Sequence, residues 1–311
     1  METYRKKYAG IVVTYNRKGD LKRNIQAVLK QTFQLDKYYI IDNHSNDGTK
    51  EFLNSCGILN NEIIEYVYLP ENIGGSGGFY EGLKIAYEAG FEFICMMDDD
   101  GRPYNENTFL ELFTTVNTSY IKHKELMINS LVVCNEFGDL SFGLGDCRTA
   151  YDAENNALNG LIENKINPFN GTVVSRELID KIGLPNKDFF IRGDENDYLN
   201  RAQIEGTCIA TVVKSIYYHP KEELISFKFL GKTIYYSVID SPWKFYYFVR
   251  NYTYMRKKKY GSLKAIRHYI ILRYGNRKFN SNWKDNINMM KKGFNDGMRG
   301  RLGKRINPGD K

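Results

Sequence analysis

Residues 72–100 read NIGGSGGFYEGLKIAYEAGFEFICMMDDD, and their reading decides the fold. The glycine-rich segment 72–78 is a loop that opens a helix patterned from Phe79 to Ala89. An apolar run, FEFICMM, follows as a strand and closes on three adjacent carboxylates, Asp98, Asp99 and Asp100. The same alternation recurs upstream. YAGIVVTY (8–15) is a β-branched apolar run ending in the turn Asn16-Arg17-Lys18-Gly19-Asp20, after which Leu21, Ile25, Val28 and Leu29 repeat at helical spacing. YYIIDNHSNDGT (38–49) is a second strand closing on a polar turn, Glu51 to Leu53 begin a helix, and IIEYVYL (63–69) is a third strand. Strand and helix in alternation predict an α/β fold, a Rossmann-like, mostly parallel sheet with helices on both faces. Polar residues gather just past the C-terminal strand ends, where such sheets bind ligands.

Beyond Thr108 the alternation weakens. Residues 127–145 predict strands and turns, 146–167 a polar loop, and the chain from about Ile234 onward aromatic, basic helices. The expected division is residues 1–225 as the sheet domain and 226–311 as a smaller, basic helical region. No internal repeat or low-complexity segment interrupts either part.

The 311 residues are 42% hydrophobic and 26% charged, ordinary for a globular protein and enough for a sizeable core. There is no apolar run long enough to span a membrane and no leader-like segment, so a cytoplasmic location is expected. Cys56, Cys95, Cys134, Cys147 and Cys208 are odd in number and scattered, as reduced, packed thiols are. The charge is unevenly spread. Residues 244–311 carry 19 Lys/Arg against Asp285, Asp296 and Asp310, a net of +16, whereas residues 1–243 carry a net of −9. A basic tail suits a solvated helical face or an anionic partner. Trp243, Tyr246, Tyr247, Tyr252 and Tyr254 lie among Arg250, Arg256, Lys257, Lys258 and Lys259, a mixture fitted to the inner surface of an anionic membrane. Packing of these rings onto the sheet domain is the other reading.

Four constellations can carry chemistry. Asp98, Asp99 and Asp100 at a buried strand end repel one another unless a cation sits among them, and a hard divalent ion completed by substrate phosphates suits such carboxylates. A water-exposed acidic turn is the bland alternative, because Gly101-Arg102-Pro103 follows. The glycines of 72–78 let backbone amides approach an anion at a helix start, although a plain tight turn has the same composition. Neither a dinucleotide fingerprint nor a Walker loop fits: Tyr80 and Ser226 stand where glycines are required. FFIRGDENDYLNRA (189–202) places Asp194, Glu195 and Asp197 before a helix, as general base candidates or simply as carboxylates favoured by the helix dipole. His219, ending CIATVVKSIYYH, is either a third metal ligand or a structural imidazole. His44, His123 and His268 have no comparable context, and there is no HExxH or Ser-His-Asp signature.

In order along the chain, TYNR, IDNHSNDGT, NIGGSGGFYEG, MMDDDGRP, FNGTVVSRE, FFIRGDENDYLNR and His219 resemble the family 2 glycosyltransferases of the GT-A fold. Within that family the triple Asp with NIGGSGG looks most like the bacterial galactofuranosyltransferases. The resemblance implies a nucleotide-sugar donor carrying uridine diphosphate and galactofuranose, a glycan or lipid-linked acceptor, and inverting transfer in cell-surface polysaccharide synthesis. It implies that Thr14 and Arg17 help hold the nucleotide, that Asp42 and Asn43 contact uridine, and that Asn72, Gly75 and Ser76 border the donor sugar and diphosphate. Asp98, Asp100 and His219 match the ligands of a divalent metal, Mn or Mg, while Asp99 matches a contact to sugar or ribose. Glu195 aligns with the base, beside Asp194. The family's galactofuranosyl members carry Trp-Asp-Asp where this chain has Gly193-Asp194-Glu195. Competing readings are another donor such as thymidine diphosphate rhamnose, a nucleotidyltransferase, and a non-catalytic sugar-nucleotide or nucleic-acid module using the basic tail. Retention of three aspartates and Glu195 favours catalysis, at the cytoplasmic face of the inner membrane and without nucleic acid as a partner.

Overall fold

The structure is a computed structural model that describes residues 6–118, 124–221, 224–239, 241–307 and 309; His123 lies outside them. In chain order the elements begin β1 (Tyr8–Thr14), α1 (Lys18–Leu29), β2 (Lys37–Asp42), α2 (Thr49–Ser55), β3 (Ile64–Tyr68), α3 (Gly74–Glu88) and β4 (Phe93–Asp98). They continue as β5 (Arg102–Pro103), α4 (Thr108–Val116), β6 (Leu126–Val133), β7 (Asp139–Leu144), β8 (Cys147–Thr149), α5 (Ala150–Asn156), β9 (Leu161–Glu163), β10 (Thr172–Ser175) and α6 (Arg176–Ile182). Then come α7 (Asp194–Ile204), β11 (Cys208–Tyr218), the hairpin of β12 (Leu224–Phe229) and β13 (Lys232–Ser237), and the helices α8 (Pro242–Tyr260), α9 (Ser262–Phe279) and α10 (Trp283–Arg299). Two compact units result: residues 1–185 with 198–221, and residues 186–197 with 222–311.

In the first unit the strand order is β3-β2-β1-β4-β10-β6-β11-β5. The strands β3, β2, β1 and β4 are parallel neighbours, β10 runs antiparallel between β4 and β6, and β6 is parallel to β11. Order reverses at β1, whose neighbours are β2 and β4, and this is where an open α/β sheet forms its ligand crevice. Alternation along β4 feeds two cores. Phe93, Cys95 and Met97 pack with Leu21, Ile25 and Phe109 of α1 and α4, while Ile94 and Met96 pack with Phe79 and Leu83 of α3. Strands buried on both faces read as continuous apolar runs, which is why FICMM lacks a polar face.

Helix α3 settles close to the sheet because two positions of its inner face, Gly78 and Gly82, carry no side chain. A Cβ on Gly78 would overlap Val13, and one on Gly82 would stand 2.9 Å from Cγ1 of Ile41. The segment expected to be a loop is helical from Gly74 onward. Side chains from elsewhere make this possible despite the poor helix propensity of glycine: Asn43 Oδ1 accepts from the Ile73 amide at 2.9 Å and Asn72 Oδ1 from the Gly74 amide at 2.9 Å.

Two other expectations change. The stretch 146–167 holds β8, α5 and β9, with α5 started by a capping box in which Thr149 and Asp152 satisfy each other's backbone amides. The chain from Ile234 first completes the β12–β13 hairpin, so helix begins only at Pro242. All five cysteines are free. Among the described residues no helix is long and apolar enough to cross a membrane.

The contrast between two glycines tests this packing. Gly78→Ala adds a methyl where Val13 already sits and should cost about 1–3 kcal/mol, the usual range for overpacking. Gly75→Ala, whose new Cβ meets nothing within 4 Å, should leave stability unchanged or raise it by roughly 0.5–1 kcal/mol through helix propensity. Denaturant titration of both variants reads this directly, and equal stabilities would refute the close-approach account.

Candidate active site

Register explains how the polar strand ends meet. Thr14 pairs with Asp42 across β1 and β2, and Val13 pairs with Asp98 across β1 and β4, so the chain just past β4 arrives beside Thr14. The Thr14 hydroxyl donates to Asp99 Oδ2 at 2.8 Å. Arg17, in the turn before α1, places Nη1 3.3 Å from Asp99 Oδ1 and 2.6 Å from Asp100 Oδ2. His219, one residue past β11, brings Nε2 to 3.3 Å from Asp100 Oδ1. The acidic turn itself is held by Asn24, which donates to the Gly101 carbonyl at 2.8 Å.

These contacts set the charge of each group. Burial pushes the Asp99 carboxyl up to about 6, against the opposing pull of Arg17 and Thr14. Asp100 is also penalised by burial, but His219 and Arg17 outweigh it and hold the carboxyl down at about 2. Burial disfavours charge on Arg17 and on His219, yet Asp99 and Asp100 raise the first, and Asp100 and Asp98 raise the second. The His219 Nδ1 stands 2.7 Å from the Pro220 carbonyl, so the nitrogen turned toward Asp100 is Nε2. A backbone carbonyl behind one ring nitrogen is the usual support of a metal-binding imidazole. Among the described residues no group of three or more His, Cys, Asp or Glu is arranged as a ready cage. Asp100 and His219 offer a carboxylate and an imidazole side by side, a donor set that fits a hard divalent ion completed by phosphate oxygens, with Asp98 at the same strand end.

The neighbouring residues form a second layer of the same crevice. Asp42 is buried and accepts from the Ser45 amide at 2.7 Å and from the Tyr66 hydroxyl. Asn43, also buried, donates its amide to the Thr14 carbonyl at 2.9 Å and its Nδ2 to Asn72 Oδ1 at 3.2 Å. Thus Thr14, Asn43 and Asn72 are wired to the first turn of α3. There Gly75 faces open space, and the Ser76 hydroxyl is buried without a hydrogen-bond partner. An unsatisfied hydroxyl in the first turn of a helix suits an anionic ligand.

Asp194 and Glu195 open α7 and belong to the second unit. Glu195 Oε2 accepts from the Gly193 amide at 2.9 Å and Oε1 from Asn196 Nδ2 at 2.8 Å, while Asn196 also reaches the Tyr252 hydroxyl at 3.1 Å. The preceding backbone is strained: Phe190, Arg192 and Gly193 have φ of 65°, 63° and 92°. Arg250 and Asn251 hold it there. Arg250 Nη2 donates to the Asp188 and Phe189 carbonyls at 3.1 and 2.8 Å, and Asn251 Nδ2 to those of Phe189, Ile191 and Arg192 at 3.0, 2.9 and 2.7 Å. Sequence reading missed both residues, because Arg250 looked like one more cation of a solvated basic tail. Tyr246, Tyr247 and Arg250 are each 0% exposed, which removes them from the expected membrane-facing mixture.

The sheet order and the acidic cluster at its reversal define a GT-A fold. Over 94% of this chain and 55% of the other, the structure aligns with GalNAc-T7 bound to UDP, GalNAc and Mn2+ at a TM-score of 0.59 and 13% identity. It aligns over 98% of both chains with S. aureus TarS 1–349 in complex with UDP-GlcNAc, at a TM-score of 0.53 and 15% identity. Residues 11–118 match the family profile described as glycosyl transferase family 2. The chain is similar to galactofuranosyltransferase GlfT1 of Mycolicibacterium smegmatis, 25% identical over 70% of this chain and 72% of that protein. It is also similar to dTDP-rhamnosyl transferase RfbF of Shigella flexneri, 26% identical over 94% and 96%.

Arg250→Lys replaces a planar fork by a single point charge and gives up charge-assisted hydrogen bonds to the Asp188 and Phe189 carbonyls, each worth about 1.5–3 kcal/mol. The expected result is a lower melting temperature and faster amide hydrogen exchange across 188–195, with the amides of β1 and β4 unchanged. Wild-type exchange in that loop would show that Arg250 does not hold it.

Proposed function

We propose that the protein is an inverting, metal-dependent glycosyltransferase that moves galactofuranose from a uridine diphosphate donor onto a glycan or lipid-linked glycan acceptor, at the cytoplasmic face of the membrane. The observation that carries this reading is the meeting of Thr14, Arg17, Asp99, Asp100 and His219 at the sheet's reversal point, beside the glycine-rich start of α3. Asp42 and Asn43 serve the uridine side, and Asn72, Gly75 and Ser76 the diphosphate and sugar. Asp98, Asp100 and His219 would hold Mn2+ or Mg2+, which when bound supplies Lewis acidity to the departing diphosphate. Arg17 adds a fixed positive charge at the same place.

Glu195 takes the proton from the acceptor hydroxyl. The acceptor oxygen bonds to the anomeric carbon as the bond from that carbon to the diphosphate oxygen breaks, and the nucleoside diphosphate leaves with its electron pair. Asp194 orients the acceptor. A single displacement of this kind inverts the anomeric centre and needs no covalent intermediate. Holding Glu195 through Gly193 and Asn196 keeps its carboxylate in one orientation before substrate arrives.

A second donor, thymidine diphosphate rhamnose, is supported by the similarity to RfbF over 94% of this chain. Incubation with a panel of nucleotide sugars and Mn2+, with product anomeric configuration read by NMR, separates the two. Chelator and Asp100→Ala should each abolish transfer, and full activity in excess chelator would end the metal assignment. Glu195→Gln should lower the transfer rate ~10²–10⁴-fold with donor affinity retained, and Asp194→Asn should be milder. The reverse ranking would move the base to Asp194.

A further inference from the structure

Helix α9 has two faces that do different things. Ala265, Leu272, Gly275 and Asn276 are buried against the rest of the second unit. On the opposite side Leu263, Ile266, Ile270 and Tyr274 are 84%, 39%, 53% and 43% exposed. Spacings of three, four and four residues at ~100° per residue keep these four within an arc of about 80°. Lys264, Arg267 and Lys278 lie along one flank of that stripe, Arg273 along the other and Arg277 at its C-terminal end, all exposed. The apolar surface continues past Tyr274, whose ring meets Phe227 at 5.5 Å and Phe229 at 5.4 Å in the β12–β13 hairpin, and the hairpin tip exposes Leu230 by 81%.

We infer that this face of α9, with Leu230 beside it, is the surface by which the protein docks on an anionic lipid bilayer. Charge complementarity selects that occupant. Between Lys244 and Lys284 the chain contains no Asp or Glu at all, so the stripe is flanked on both sides by cations alone. A second copy would oppose these cations to themselves. A bilayer takes the apolar stripe into its headgroup and acyl boundary and sets lipid phosphates against both flanks, which is the geometry of an interfacial amphipathic helix. The surface is distinct from the aromatic mixture of α8, where Tyr246, Tyr247 and Arg250 are buried. The inference rests on the proposed lipid-linked acceptor for its purpose alone, since docking needs neither donor nor acceptor.

The test is sedimentation of the full chain with vesicles of neutral phosphatidylcholine or of phosphatidylcholine containing phosphatidylglycerol, at low and high salt, with donor hydrolysis measured separately in solution. Wild type should partition onto anionic vesicles and be released by salt. Ile270→Asp and Leu263→Gln should each weaken partitioning at least tenfold, and Lys264→Gln with Arg267→Gln roughly 25-fold together, each basic residue near such a surface being worth about fivefold. Donor hydrolysis should stay at the wild-type rate in every variant, so a failure of docking and a failure of the proposed activity are read in different assays. Equal recovery on both vesicle types overturns the inference. So does unchanged partitioning of Ile270→Asp, or light scattering showing a wild-type dimer that this variant dissociates.

Discussion

Three consecutive carboxylates at the end of one strand create a charge problem, and much of this molecule is arranged around it. Asp99 is only 7% exposed, so its charge cannot be left to water. The compensating groups come from three separate places: Thr14 at the end of β1, Arg17 just before α1, and His219 just after β11. Each can reach the acidic turn only if its element stands in the register observed. Parallel pairing of β1 with β4 therefore has an electrostatic as well as a hydrophobic consequence, because a shift of one residue would separate Thr14 from Asp99.

The same economy of placement appears in α3. The glycines of 72–78 were legible in the sequence as letting backbone amides approach an anion, but the packing of Gly78 on the sheet was not. The structure shows two roles within one short run. Gly78 and Gly82 face Val13 and Ile41 and let the helix settle onto the sheet, whereas Gly75 faces open space at the helix start. Glycine spacing distinguishes the two only once the helix is known to begin at Gly74, and that start depends on Asn43 and Asn72, side chains distant or outside the helix pattern.

Much of the first unit could be read from periodicity because its signals are local: apolar runs, turn residues and carboxylates at strand ends. That β1 to β4 run parallel follows from βαβ alternation, whereas their spatial order does not. What escaped reading was set by partners far along the chain. The helix α5 hid in a polar stretch because its capping box is a signal of four residues, and the hairpin before α8 shares its aromatic composition with the helices after it. Arg250 escaped for a different reason. A buried arginine whose acceptors are backbone carbonyls has no acidic partner in the sequence to betray it.

That arginine also imposes an order on events. Asp188 and Phe189 wait for acceptor-pairing from residues 61 and 62 positions later, and the Asp188 carbonyl takes a further bond at 2.7 Å from the amide of Gly303. During synthesis the strands β1 to β4 and their acidic turn leave the ribosome early and can pair with what has already emerged. The loop that leads into Glu195 cannot settle until α8 and the Gly303 segment have followed it out. A nascent chain halted before α8 thus owns its acidic turn but not a fixed Glu195.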